Sequence, residues 1–245
     1  MQKPAISLKA VTLVLTVVCG IGWLGYADSG GEGVVEVQLR DYVFHIPERY
    51  SMYGATPFWL KWMLEATPGL DRSSPMTRFT VPNEEVSQAL PAYRFRPNGD
   101  FTAVLGVLSD EEVARYQDPE WGFHGDMWYG RRAYKDRVIE PFGETGWYRM
   151  YLSPAKVHWD VVRQYPDASM PPPNDPLSFD VARCHNIVGV KTTSCLTYAF
   201  SGRIAIDFWT TEENLVLIDE LRAFLMAKVL EWKQPDQRTG SAPDL

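Results

Sequence analysis

The apolar positions of this chain fall into three patterns, and each predicts a different kind of element. Residues 10–27, Ala10 to Tyr26-Ala27, form an 18-residue stretch without a charge. Its length sits at the lower edge of what an α-helix needs to span a bilayer. Beyond it, short runs alternate between apolar and polar positions as strands do. Val34-Val-Glu-Val-Gln-Leu39 and Tyr42-Val-Phe-His-Ile46 are separated by Arg40-Asp41, which reads as a hairpin turn. Met76–Val81 and the largely apolar Phe101–Leu108 follow as further strands, with a short helix at Asn83–Leu90 capped by Asn83. The third pattern comes last. Ile218, Leu221, Leu225, Val229 and Trp232 recur at steps of three and four, so a helix of roughly 20 residues lays one apolar stripe across a sheet.

The polar positions between these runs supply the boundaries. Ser109-Asp-Glu-Glu112 and Thr210-Thr-Glu-Glu213 both have the form of a capping box, and each predicts a helix start. Strands are expected around Tyr134–Ile139 and Trp147–Leu152, and β-prone runs at Leu177–Cys184, Asn186–Val190, Leu196–Phe200 and Arg203–Trp209. Five prolines between Pro166 and Pro176 exclude regular structure there and mark residues 166–176 as a possible boundary between lobes. Strands and helices mix without strict alternation. The expected fold class is therefore α+β, a mainly antiparallel sheet packed by the long C-terminal helix. An N-terminal transmembrane helix or signal segment (1–27) and a Gly-rich linker (28–33) precede the globular part at 34–234, and a loose tail follows at 235–245.

Lys3 and Lys9 stand before the apolar stretch and no acid does, which predicts a cytoplasmic N-terminus and an exported body. Trp23 and Tyr26 near its far end suit a membrane interface, so an uncleaved inner-membrane anchor through residues 10–27 is one reading. Gly25-Tyr26-Ala27 also offers small residues where a signal peptidase cuts, which would release a periplasmic protein. Either of these places the body beyond the cytoplasm; the third reading is a buried helix of a cytosolic protein. Cys184 and Cys195 are the two cysteines outside the apolar stretch. An exported chain favours a disulfide between them over two half-buried thiols.

The chain of 245 residues carries a net charge of −7, and the two leading lysines make the body more acidic still. No basic stripe offsets this, so nucleic acid is excluded as a partner and a cationic protein is favoured electrostatically. Catalytic signatures are missing: there is no nucleophile elbow, P-loop or dinucleotide fingerprint. His45, His124, His158 and His185 lack metal-ligand spacing, and no cofactor or metal is expected. Glu111-Glu112 and Glu212-Glu213 fall at expected helix starts, where the dipole favours them. The most distinctive surface candidate is the glycine-rich aromatic stretch Trp121–Gly130, expected to be a loop. Its Trp121, Phe123, Asp126, Trp128 and Tyr129 are the candidate partner-binding residues. The alternative is that these rings fill the core beneath it.

One organisational resemblance adds to this. Tyr42-Val-Phe-His-Ile-Pro47 just after the linker, and Tyr198-Ala-Phe200 leading to the Leu215–Trp232 helix, sit in a layout of envelope anchor, linker and acidic α+β body. That layout is similar to the immunity proteins that accompany type VI secretion effectors. The resemblance implies a binding protein, not an enzyme, that neutralises a cognate antibacterial toxin in the periplasm by occlusion. Two other readings stand beside it: an envelope component that binds glycan or a membrane machine, and a hydrolase whose site, around Asp126 or Glu144, is unrecognised.

Overall fold

A computed structural model of the chain describes residues 33–51, 76–95, 100–120, 122–187 and 193–235. The apolar stretch at 10–27, the linker up to residue 32 and the tail beyond residue 235 lie outside the described residues, and with them the expectations attached to them. No helix among the described residues is long and apolar enough to cross a membrane.

The alternating runs form strands as expected. β1 (Val34–Leu39) and β2 (Tyr42–Pro47) make a hairpin in which Val35 faces Ile46 and Val37 faces Phe44. Arg40, in the turn, takes a positive φ of 55°, and its guanidinium donates to the Val107 carbonyl at 2.7 Å and to Glu112 at 3.0 Å. The remaining strands are β3 (Met76–Val81), β4 (Phe101–Val107), β5 (Val138–Phe142), β6 (Trp147–Tyr151), β7 (His158–Val162), β8 (Asp180–Asn186), β9 (Thr193–Ser201) and β10 (Ile204–Thr210). They form one eight-stranded sheet in the order β3-β4-β10-β9-β8-β7-β6-β5. Every neighbouring pair is antiparallel. The fold is α+β. Pro141 lies in β5, a sheet edge, where a missing N–H costs no ladder bond.

Among the described residues five α-helices accompany the sheet: α1 (Asn83–Ala89), α2 (Asp110–Gln117), α3 (Gly122–Tyr129), α4 (Pro176–Phe179) and α5 (Ile218–Trp232). One face of the sheet is closed. The β1–β2 hairpin and α5 lie over it, and Leu39, Phe44, Phe79, Leu105, Ile206, Phe208, Leu221, Leu225 and Val229 share a single core. Trp232 closes the end of that core between Tyr50 and Phe79, with ring centroids 5.0 and 5.2 Å away. The opposite face is covered over β6–β8 by α3, α4 and a 3-10 turn at Arg132–Tyr134. Met127, Trp128, Tyr134, Met150, Val162 and Phe179 make a second, smaller core there.

Several expectations need correction. The segment Trp121–Gly130 is not a loop, because α3 occupies Gly122–Tyr129. Its glycines serve packing instead of flexibility. A Cβ on Gly125 would stand 2.9 Å from the Glu120 carbonyl oxygen, and Gly130, at φ +66°, ends the helix in the left-handed region. Residues 166–176 are not a boundary between lobes. They connect β7 to β8, which are hydrogen-bonded neighbours in the same sheet. The expected strand at Tyr134–Ile139 begins only at Val138, and β7 was not anticipated at all. Asn83 is the first residue of α1, and Pro82 holds the cap position.

The two capping boxes fare differently. At Ser109 the box forms in full: Glu112 N donates to Ser109 Oγ at 3.2 Å and Ser109 N donates to Glu112 Oε2 at 2.6 Å. Ser109→Ala is expected to cost about 1 kcal/mol, read as a lower denaturation midpoint with an unchanged slope. At Thr211 no side-chain cap forms, and a 3-10 turn over Glu212–Leu217 leads into a 15-residue α5. Glu212 turns to the sheet instead, where its Oε1 accepts from Arg149 Nε at 2.7 Å and from Trp159 Nε1 at 3.1 Å.

Candidate protein-binding face

The cysteines define the first fixed point. Cys184 and Cys195 are register partners on β8 and β9, form a disulfide with a Cα–Cα distance of 4.0 Å, and are fully buried on the closed face. Alternation along each strand turns their neighbours Arg183 and Leu196 to the other face.

A row of side chains crosses that second face from strand to strand. Trp209 on β10 pairs with Leu196 on β9, Leu196 with Arg183 on β8, Arg183 with Asp160 on β7, and Asp160 with Met150 on β6. The row passes from open to covered. Trp209 is 40% and Leu196 37% exposed, whereas Asp160 is 1% exposed and Met150 fully buried. Arg183 lies at the border. Its Nε donates to Asp160 Oδ1 at 3.0 Å and its Nη2 to the Tyr134 hydroxyl at 2.8 Å, while nearly half of its side chain faces solvent.

A bulge in β7–β8 gathers a further set of buried polar groups, Asp180, Thr197 and Arg222. Ladder register shifts between Val161 and Val162, so that Val162 faces Asp180. The bulge turns the Asp180 and Val181 carbonyls out of the ladder, and Arg222 on α5 answers them. Its Nη2 donates to the two carbonyls at 3.2 and 3.0 Å and to Thr197 Oγ1 at 3.1 Å. Tyr198 donates to Asp180 Oδ2 at 3.1 Å. Burial pushes the Asp180 carboxyl up to about 6, against the pull of the Tyr198 hydrogen bond and the Arg222 and Arg183 charges. Burial likewise raises Asp160 to about 6, opposed by Arg183 and reinforced by the Asp180 charge. The phenols of Tyr134 and Tyr198 are driven upward by burial and by the same two carboxylates.

These shifts carry a stability consequence with a definite sign. A carboxyl with a raised folded pKa binds more protons folded than unfolded between its two pKa values. Stability therefore falls as pH rises through that window, from about 4 to about 6, and is flat above it. Buried His124 works the other way, since burial lowers its pKa and the unfolded chain takes up its proton first below pH about 6.5. A difference between proteins isolates the acids. Going from pH 7 to pH 5, Asp180→Asn is expected to gain about 1 kcal/mol less stability than the unsubstituted protein. Urea melts at the two pH values measure it.

Perturbed carboxylates are candidates for catalysis, but this pair is enclosed. Asp160 and Asp180 are 1% and 4% exposed, one beneath the second core and the other held by Tyr198. Among the described residues, no group of three or more His, Cys, Asp or Glu is arranged to hold a metal ion. Asp126 pairs with Arg132 at 3.3 Å, and Glu144 is exposed in the β5–β6 turn.

The residues singled out from the aromatic stretch are dispersed by α3. Trp128 is 4% exposed, packs edge-on against Phe179 and donates from Nε1 to the Met170 carbonyl at 2.8 Å. Asp126 is buried as well. Tyr129 is half-buried, donates to Glu120 at 2.9 Å and lies under Arg131 at 4.2 Å. Trp121 and the side chain of Phe123 lie outside the described residues. Trp209, Leu196 and Arg183 were not anticipated. A signal existed: in Ile204-Ala-Ile-Asp-Phe-Trp-Thr210, alternation sets Trp209 beside Asp207 on the polar side of an otherwise well-patterned strand.

No protein-family model matches the chain, and no curated protein matches it in sequence. Among solved structures, an immunity protein of the Stenotrophomonas maltophilia type IV secretion system superposes with a TM-score of 0.48 at 11% identity, covering 86% of this chain and 98% of that one.

Proposed function

We propose that this chain is an immunity protein, a binding protein that works in the periplasm and neutralises a cognate antibacterial effector by physical occlusion. The observation that carries the reading is the half-covered sheet: one face closed over the main core, the other leaving Trp209 and Leu196 side by side in solvent. Exposed aromatic and aliphatic neighbours on a rigid sheet are what a protein partner uses as anchors. The buried disulfide suits an oxidising compartment, and the apolar stretch at 10–27 supplies an inner-membrane anchor or signal for export. Occlusion asks for no cofactor and no turnover. The enclosure of Asp160 and Asp180 supports that reading over a hydrolase.

The test is co-expression of the full chain with the product of the adjacent gene, directed to the periplasm of a sensitive host. Growth should be restored in the presence of this chain. Continued killing, with the chain shown to be present and exported, would overturn the reading.

A further inference from the structure

The exposed pair on the open face differs from the other exposed apolar side chains. Val34, Met76, Val157, Tyr165, Met170, Val216 and Leu230 have no other such residue as a ladder partner, whereas Trp209 and Leu196 are cross-strand partners on one rigid surface. The residues alternating with them, Phe208 and Thr197, are fully buried in the closed face, so the backbone beneath the pair is held in place. Arg183 is the next residue in the row. Its charge is answered from below by Asp160, ionised at neutral pH even with its carboxyl raised to about 6, so it does not set up a free positive field beside the pair. On the other flank α2 sits over Phe200 through Tyr116, with ring centroids 5.0 Å apart; its exposed Asp110 and Glu111 are paired with Arg203 at 3.4 Å and Arg115 at 2.8 Å, while Asp207 is exposed on the same face as Trp209. The whole chain carries −7.

Resting on the immunity reading, we infer that the effector docks on the row Trp209–Leu196–Arg183, and that the surface it brings is basic and seats an apolar side chain on the Trp209–Leu196 pair. Apolar contact at the centre supplies affinity, because a flat aromatic beside an aliphatic is desolvated at little entropic cost. Opposite net charges raise the encounter rate, and that contribution is screened by salt. A second copy of this chain is a poorer occupant, since two bodies of −7 repel each other. The same charge disfavours nucleic acid.

The experiment uses the full chain with the adjacent gene's product as the probe, and reads association and dissociation rates. Trp209→Ser combined with Leu196→Ser should weaken binding on the order of 100-fold, chiefly through faster dissociation. Val216→Ser combined with Leu230→Ser should leave affinity unchanged. Leu196→Lys, a single change at a solvent-facing position, should weaken binding of a basic partner further than Leu196→Ser does. The association rate should fall at least tenfold between about 50 mM and about 500 mM salt. Equal affinity of the Trp209/Leu196 variants and the unsubstituted chain, with melting temperatures matched, overturns the docking row. A salt-independent association rate overturns the basic occupant. Sedimentation that finds a dimer, lost in the double variant, assigns the row to a second copy instead. Where the unsubstituted chain itself fails to bind, the immunity reading falls and the occupant named here falls with it; where it binds and the variants bind equally, only the docking row falls.

Discussion

Replacing Arg222 with alanine is expected to destabilise the protein by about 3–5 kcal/mol, a large share of the stability of a domain this size. The bulge at Val161/Val162 is the origin of this effect. Two carbonyls, of Asp180 and Val181, leave the ladder there, and a buried carbonyl without a donor costs free energy comparable to a lost hydrogen bond. One guanidinium nitrogen of Arg222 donates to both and to Thr197, whose own hydroxyl donates to the Val181 carbonyl at 2.7 Å, so the Asp180 carbonyl is the one that depends on Arg222. Arg222 holds this position from an otherwise apolar stripe: Ile218, Leu221, Leu225 and Val229 on the same helix are fully or almost fully buried. Alanine removes the donors and the positive charge near Asp180 together, and leaves a cavity between α5 and the sheet. Methionine at the same position fills the space but supplies no donor, so Arg222→Met should recover part of the loss and not all of it. Denaturant melts of the three proteins measure this. Equal stability of the alanine and unsubstituted proteins would mean that Thr197 and water, not Arg222, satisfy the bulge.

Removing the disulfide has the second large effect. Cys184→Ala with Cys195→Ala opens a loop with a sequence separation of 11, for which loop-closure entropy gives about 3 kcal/mol at 25 °C. The loss should be larger in the oxidised protein than under reducing conditions, where the unsubstituted chain approaches the double variant. Both sulfurs are buried in the main core, so some of the cost also comes from lost packing. Since Arg183 and Leu196 are the immediate chain neighbours of the two cysteines, reduction is also expected to loosen the row they share on the opposite face. Identical melting of the oxidised and reduced proteins would contradict a stabilising role for the bond.

Much of the architecture is legible where burial is one-sided. β1, β2 and β10 alternate cleanly because one of their faces meets the core and the other meets solvent, and α5 shows its stripe for the same reason. β7 hides from such a reading because Trp159, Asp160, Val161 and Val162 are all buried, the alternate residues under different covers, and an aspartate stands where a two-sided core strand would carry an apolar residue. α3 is hidden by Gly125, whose place is dictated by a close approach to Glu120 that no local pattern announces. The capping box at Thr210 fails because Thr210 ends β10 with its hydroxyl against that of Tyr93, and Glu213 pairs with Arg94, partners 117 and 119 residues away.

The same distinction governs the candidate face. Its disulfide was legible from the two cysteines outside the apolar stretch, since the choice of partners was narrow. Trp128 was misplaced among surface candidates because a tryptophan in a glycine-rich stretch looks exposed until the helix is built and its indole turns onto Phe179. The polar cluster of Tyr134, Asp160, Asp180, Arg183 and Arg222 draws on four separate regions of the chain. Only the sheet order brings them together, and residue spacing alone holds no record of that order.

Hydrogen exchange of the full chain, with and without the adjacent gene's product, tests the docking row most directly. Exchange is expected to slow only in β8–β10, most strongly around Leu196–Tyr198 and Asp207–Trp209, with the β1–β2 hairpin unchanged. Protection of the hairpin or of β5 with no change at Leu196 and Trp209 would contradict it.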